Sequence, residues 1–240
     1  MKILVDTHTH TVLSGHSFST LLENAEYAGK IGLQGIVSTD HGPAIPGASP
    51  EFIINVLRTV PEEIGGVRIY RGVEANIINY AGGLDISTGY LKKTEFVIAS
   101  LHDVVIEPGT REEHLAGYIG ALENPYVDVI GHSGTPAYDM EREEFVKAVK
   151  RADKLIEINN HSFRFRPGSE CNCSEIIRYC IKYDVRITVS SDSHFCMSIG
   201  GFDHALSELQ KQNFPFELIV NRSRESMDEY LKERRNRLVK

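Results

Sequence analysis

The segment Ile3-Leu4-Val5-Asp6-Thr7-His8-Thr9-His10 decides how the rest of the chain is read. An apolar run leads directly into a polar one, as when a buried strand emerges at its C-terminal end. His8 and His10 stand two residues apart, so on an extended backbone their imidazoles point the same way. The combination recurs. Short β-branched or apolar runs cover residues 3–5, 35–38, 67–73, 96–99, 127–131, 155–158 and 186–189, beginning 28 to 32 residues apart. That interval fits one strand plus one crossover helix.

Helical patterns fill most intervals. Ser19 or Thr20 is placed to cap a helix over 21–30, ahead of Gly32. Pro50 opens a helix that runs to Leu57. Apolar residues at i, i+3, i+4 spacing mark helices over 112–122, 143–154, 174–183 and 203–212. Residues 79–93, rich in Gly, Ser and Thr, are expected to be loop. Residues 223–238 are expected to form an amphipathic helix. Its basic end, Lys232-Glu233-Arg234-Arg235-Asn236-Arg237, is expected to be solvated, where cations favour the helix dipole. The run 216–220 is expected to precede that helix rather than add an eighth strand. Seven strands alternating with helices imply a parallel α/β fold, either a (β/α) barrel or an open doubly wound sheet. No GxGxxG follows the first strand, so the dinucleotide-binding open sheet loses support. Seven repeats fall short of the eight in a TIM barrel.

The chain has 240 residues, 41% hydrophobic and 25% charged, which is ordinary globular composition. A single domain over residues 1–240 is expected. The net charge of −7 argues against a nucleic-acid binder, which needs a basic face. No run of 18 apolar residues is present, so no membrane-spanning helix is expected. Asp6 interrupts the N-terminus too early for a secretory signal. With four cysteines at 171, 173, 180 and 196, this points to a reducing cytoplasm rather than a disulfide framework. Cys171 and Cys173 lack partners for a metal site. The unusual count is ten histidines against no tryptophan.

Those histidines gather at strand ends. The first strand ends Asp6-Thr7-His8-Thr9-His10 and the second Thr39-Asp40-His41-Gly42. The third ends at Glu74, the fourth at His102, the fifth at His132 and the seventh at Asp192-Ser193-His194. The C-terminal strand ends of a parallel β/α fold form one face, so ligands dispersed in sequence converge in space. Imidazole and carboxylate donors suit zinc, manganese or iron. A metal site is therefore expected.

The same motifs, with Gly72-Val73-Glu74-Ala75-Asn76, Ser100-Leu101-His102 and Gly131-His132, resemble the PHP (polymerase and histidinol phosphatase) family. The run Glu157-Ile158-Asn159-Asn160 is similar to its YcdX-like phosphatase branch. The resemblance covers nearly the whole chain. It implies a distorted seven-stranded (β/α)7 barrel, TIM-barrel-like, holding three divalent metal ions, commonly zinc. By position, one metal takes His8, His10, Glu74 and Asp192. A second shares Glu74 and takes His102 and His132. A third takes His16, His41 and His194. His16 lies in a loop and only the family pattern assigns it. Three divalent cations against two carboxylates leave a positive cleft that favours a phosphate dianion. Water activated between two metals is then expected to attack phosphorus.

The activity implied is hydrolysis of a small phosphomonoester. Alternatives within the family are histidinol-phosphate phosphatase and a nucleotide phosphodiesterase. More distant ones are a binuclear amidohydrolase, which has no role for His16, His41 and His194, and a non-enzymatic metal-binding domain. Asp6 and Asp40 flank ligands and are candidates for turn capping, for orienting an imidazole or, at Asp40, for proton donation. Residues 159–169 follow the sixth strand as an expected substrate loop, in which Arg164 or Arg166 is a candidate phosphate clamp. His114, His161 and His204 are not expected to be ligands. The resemblance also suggests a homo-oligomer, a trimer, and no stable nucleic-acid or membrane partner is expected.

Overall fold

The computed structural model describes residues 1–239. Its strands are β1 (Val5–Thr9), β2 (Gly35–Ser38), β3 (Glu63–Ile64), β4 (Val67–Asn76), β5 (Phe96–Ser100), β6 (Val129–Ile130), β7 (Leu155–Asn159) and β8 (Ile187–Ser190). The helices are α1 (Leu21–Lys30), α2 (Ile53–Val56), α3 (Thr88–Leu91), α4 (Arg111–Glu123), α5 (Arg142–Arg151), α6 (Asn160–Phe165), α7 (Ser169–Tyr183), α8 (Asp203–Lys211) and α9 (Arg224–Val239). Seven strands pair in parallel in the order β1-β2-β4-β5-β6-β7-β8. They curve into a nearly closed barrel with helices around it, an α/β, TIM-barrel-like fold. Among the described residues no helix is long and apolar enough to cross a membrane.

Strand alternation sorts the side chains into two layers. Ile36, Ile69, Val97, Ile130, Ile156 and Val189 join the core between barrel and helices. Their neighbours Val37, Tyr70, Phe96, Ile98, Val129 and Leu155 fill the barrel's inside, closed from below by Met227, Tyr230 and Leu231 of α9. Continuing that inward series toward the C-terminal ends puts Glu74 above Tyr70 and Glu157 above Leu155. On β1, Val5 faces inward and so do His8 and His10. A register shift between Asp6 and Thr9 accommodates that odd separation. At Gly131 an added Cβ would strike Ser100 Oγ, so the barrel's upper layer needs glycine there.

The barrel closes between β1 and β8 without a full ladder. Near the top, His10 N donates to Ser193 O at 2.9 Å. Near the bottom, the buried Asn221 side chain takes a strand's place. Its Nδ2 donates to Val5 O at 2.7 Å and Val189 O at 2.6 Å, and its Oδ1 accepts from Val189 N at 3.0 Å.

Local signals account for most element ends. Thr20, rather than Ser19, caps α1 with Glu23 in a capping box, and Thr110 with Glu113 does the same for α4. Four expectations need correction. The helix from Pro50 shrinks to Ile53–Val56, and the loop over 79–93 contains the single turn Thr88–Leu91. The expected loop after the sixth strand is largely α6, because Asn159 Oδ1 accepts from Ser162 N at 3.0 Å and caps it. The basic end of α9 is not wholly solvated. Arg234 is buried against Asp128, its Nε 2.7 Å from Oδ1. The short β3 was not expected at all. Residues Phe216–Leu218 form a 3-10 turn ahead of α9, and Ile219 makes one bridge to Ile187.

Candidate metal centre

All nine residues taken from strand ends and the His16 loop meet at the C-terminal mouth of the barrel. Donor atoms lie within 4.8 Å of one another in three sets: His8, His10 and Glu74; His10, His41 and His194; His41, Glu74 and His102. Glu74 is central. Its Oε2 is 2.7 Å from His41 Nδ1, 3.2 Å from His8 Nε2 and 3.6 Å from His10 Nε2. Its Oε1 is 3.0 Å from His132 Nε2 and 3.4 Å from His102 Nε2. Asp192 Oδ1 lies 3.2 Å from His10 Nε2 and 3.5 Å from His8 Nε2. His16 Nε2 lies 3.0 Å from His194 Nε2, which brings the loop histidine to the outer edge. His132 and Asp192 adopt positive φ (26° and 53°), a cost that functional sites tolerate when their surroundings hold it.

The arrangement fits cations. His8 Nε2, His41 Nδ1 and Glu74 Oε2 are buried and make no hydrogen bond, although they converge on one another. Buried polar atoms rarely go unpaired. Lone pairs aimed at a shared point are what imidazole and carboxylate ligands of a divalent ion present. The charge states agree. Burial works to raise the Glu74 carboxyl, but His8, His41 and His102 hold it well below the usual range. Asp192 is lowered in the same way, chiefly by His8 and His10 against burial. Burial, with His41 and His194, pushes His10 well down, and burial with Arg166 pushes His132 down to about 4. Burial also lowers His102. His8 is the exception: it moves up despite burial, because Glu74, Glu157 and Asp192 surround it, so it must release its Nε2 proton to act as a ligand.

Other side chains orient the candidate ligands. Ser14 Oγ donates to Asp40 Oδ1 at 2.6 Å and therefore accepts from His10 Nδ1 at 2.9 Å. Asp40 also accepts from Thr11 N at 2.7 Å and Thr11 Oγ1 at 2.8 Å. Its oxygens are thus engaged in supporting His10 rather than turned to a leaving group. Asp6 sits behind the cleft and accepts from three backbone N–H groups, those of Gly200 (2.9 Å), Ser191 (3.1 Å) and His8 (3.4 Å). It holds the β1–β8 seam. His102 Nδ1 lies 2.7 Å from Asn76 Oδ1, and Ser100 Oγ donates to Glu74 Oε1 at 2.6 Å. The residue that strand-end reasoning missed is Glu157, whose Oε1 accepts from His8 Nδ1 at 2.6 Å. Its signal was available: an acid two residues after Leu155, on the inward side of an apolar strand.

A cleft of about 340 Å³ opens over the cluster, walled by Ile45, Pro46, Asp103, Val104 and Arg166. Arg166 Nη2 is 3.3 Å from Asp192 Oδ2, and its Nη1 donates to Ser162 Oγ at 3.0 Å. Arg164 does not share the cleft. It is exposed, lines a separate depression beside Gly200, and lies over the Phe165 ring at 5.3 Å. His114 and His204 are not in the cluster. His114 is buried between Asp139 O and Gly109 N, and His204 is exposed. His161 is near it, its ring 6.0 Å from that of His194. Cys171 and Cys173 are free and take no part.

The family model of the PHP domain matches residues 6–163, which carry most of these ligands. The chain belongs to the PHP domain family. A relative from Acetivibrio thermocellus, named a probable phosphatase, is 49% identical over 238 residues, 99% of each chain. Another probable phosphatase, from Clostridium botulinum, is 47% identical over 232 residues, covering 97% of this chain and 96% of that one. Among solved structures, the histidinol phosphate phosphatase of Lactococcus lactis, complexed with zinc, L-histidinol and phosphate, has a TM-score of 0.64. It is 19% identical, over 90% of this chain and 95% of that one, a likeness of fold.

Proposed function

We propose that this PHP protein is a metal-dependent phosphatase that hydrolyses small phosphomonoesters at a trinuclear centre, with zinc as the first candidate metal. The observation that carries the proposal is the convergence of the unbonded buried atoms His8 Nε2, His41 Nδ1 and Glu74 Oε2 beneath the cleft. His8, His10, Glu74 and Asp192 would hold one cation, Glu74, His102 and His132 a second, and His16, His41 and His194 a third. Such cations supply Lewis-acid stabilisation of phosphoryl charge and a supply of hydroxide near neutral pH.

The chain's own residues do the rest. Arg166 offers its guanidinium to a phosphoryl oxygen at the cleft wall, anchored meanwhile by Ser162 and Asp192. Ser14 and Asp40 fix the His10 tautomer so that Nε2 faces inward. Ile45, Pro46 and Val104 limit water and leave room for a small leaving group. No side chain needs to act as a nucleophile.

Elemental analysis of the purified protein, paired with p-nitrophenyl phosphate turnover with and without chelator, tests the proposal. About three metals per chain and chelator-sensitive turnover are expected. About two metals and no phosphate release would overturn it in favour of an amidohydrolase.

A further inference from the structure

Glu157 is a fully buried carboxylate outside every ligand set assigned above. Its two oxygens serve four strand ends, its own included. Oε1 accepts from His8 Nδ1 at 2.6 Å and from Ser190 Oγ at 2.6 Å. Oε2 accepts from His132 N at 2.6 Å and from Asn159 Nδ2 at 3.1 Å. Asn159 Nδ2 lies 3.1 Å from Asp192 Oδ2 as well, so the network extends to that ligand. A carboxylate acceptor obliges His8 to carry its proton on Nδ1, which leaves the Nε2 lone pair for a cation. The bond to His132 N also holds the residue whose φ is +26°.

None of these bonds reaches an outer histidine directly, and the Asp192 atom that Asn159 holds is a carboxylate oxygen, not the backbone oxygen that faces His194. His194 is oriented through Nδ1 by Asp192 O at 3.1 Å, and His41 Nδ1 faces Glu74. His16 sits exposed in the loop before α1. The outer set also contains no carboxylate.

We propose that Glu157 is a positioning residue for the two inner cations only, those held through His8 and His132, and that the outer position loads independently of it. This inference rests on the three-cation assignment above. Four hydrogen-bond donors point at Glu157, and a glutamine would turn an amide NH₂ toward some of them. Glu157→Gln therefore disturbs the inner ligands without touching His16, His41 or His194.

The test is zinc titration of chelator-stripped full-length protein, in competition with a chromophoric chelator, with melting temperature recorded alongside. Wild type is expected to bind about three ions. E157Q is expected to bind one as tightly as wild type and two about 10- to 100-fold more weakly. Glu157→Asp, which keeps the charge but withdraws it by a methylene, is expected to show an intermediate loss at the same two positions. Equal weakening at all three positions, or unchanged zinc affinity with only a lower melting temperature, would overturn the inference. If E157Q does not fold, Asn159→Ala replaces it: loss confined to the inner positions supports the inference, and equal loss at all three overturns it. Wild type binding fewer than three ions would overturn the trinuclear assignment instead, while the effect of E157Q on the ions held by His8 and His132 still decides the role of Glu157.

Discussion

Ser14 shows how a single hydroxyl transmits order into the centre. Because Asp40 takes its proton, Ser14 Oγ can only accept from His10 Nδ1, and His10 Nε2 is left as a ligand atom. Ser14→Ala should lower metal affinity about 10-fold, seen as a lower chelator concentration for half-inactivation. The fold is expected to survive, since Asp40 keeps both bonds to Thr11. Arg166 is a different case, because its guanidinium lies on the cleft wall. Arg166→Ala should reduce kcat/KM on p-nitrophenyl phosphate by roughly 10- to 100-fold, the worth of a charge-assisted bond to phosphate. Metal content at saturating zinc should be unchanged, and Arg166→Lys should recover little, having no planar fork. An R166A enzyme with wild-type kcat/KM would remove Arg166 from substrate binding. The sequence offered Arg164 and Arg166 as equals because residues 159–169 looked like loop. On a helical turn, residues two apart diverge by about 200°, so only one of the pair can face the cleft.

Elements were legible where periodicity is strong and illegible where a side chain replaces it. Every barrel strand but β1 is built on a β-branched or apolar run, visible because burial on both faces demands that composition; β1 starts at Val5, the last residue of the expected run, and continues through Asp6-Thr7-His8-Thr9. That the histidines and acids at the strand ends converge followed from parallel topology, whereas their assignment to three metals, and the inclusion of the loop residue His16, came only from the family resemblance. The closure of the barrel did not, because it depends on Asn221, an isolated polar residue in an unremarkable stretch. Its amide makes three hydrogen bonds to backbone groups of β1 and β8. Asn221→Ala should cost at least about 3 kcal/mol, since leaving each buried backbone group unpaired costs ~1–3 kcal/mol. Asn221→Asp should not rescue it, because a carboxylate cannot donate and a protonated acid has one O–H for the two acceptors Val5 O and Val189 O. Urea denaturation measures both; a loss under 1 kcal/mol for N221A would show that the seam is held by something else. Glu157 is the corresponding case within a strand, where an inward acid in an apolar run was the clue to its place beneath the ligands.

At the scale of the molecule, the candidate metal centre occupies one end of the barrel and a second buried charge cluster occupies the other. Asp128, just before β6, takes bonds from Arg234 Nε, Tyr230 OH and Val97 N. Lys154, just before β7, is buried beside it and donates to Pro125 O and Val127 O. Sequence could show that residues 223–238 form a helix, but not that its Arg234 joins Met227, Tyr230 and Leu231 on the buried face and meets an acid more than 100 residues away. Arg234→Met should cost about 3–5 kcal/mol by stranding a buried carboxylate. Adding Asp128→Asn should recover part of that loss, which a double-mutant cycle in urea would measure. Lys154 adds a pH dependence of defined sign. Burial, opposed by Asp128, lowers its amine from 10.5 to about 8. Between about pH 8 and 10.5 the unfolded chain keeps a proton on Lys154 that the folded protein has released. Stability rises with pH wherever the unfolded state binds more protons. Relative to Lys154→Met, the wild type should therefore gain stability as pH rises through that window, by about 1–3 kcal/mol, and level off above it. Loss of the two bonds to Pro125 O and Val127 O lowers K154M by a pH-independent amount, so the offset and the slope separate. Parallel urea curves for the two proteins from pH 8 to 10 would show that Lys154 is charged throughout in the folded state and that its carbonyl partners, not its neutralisation, make its burial tolerable.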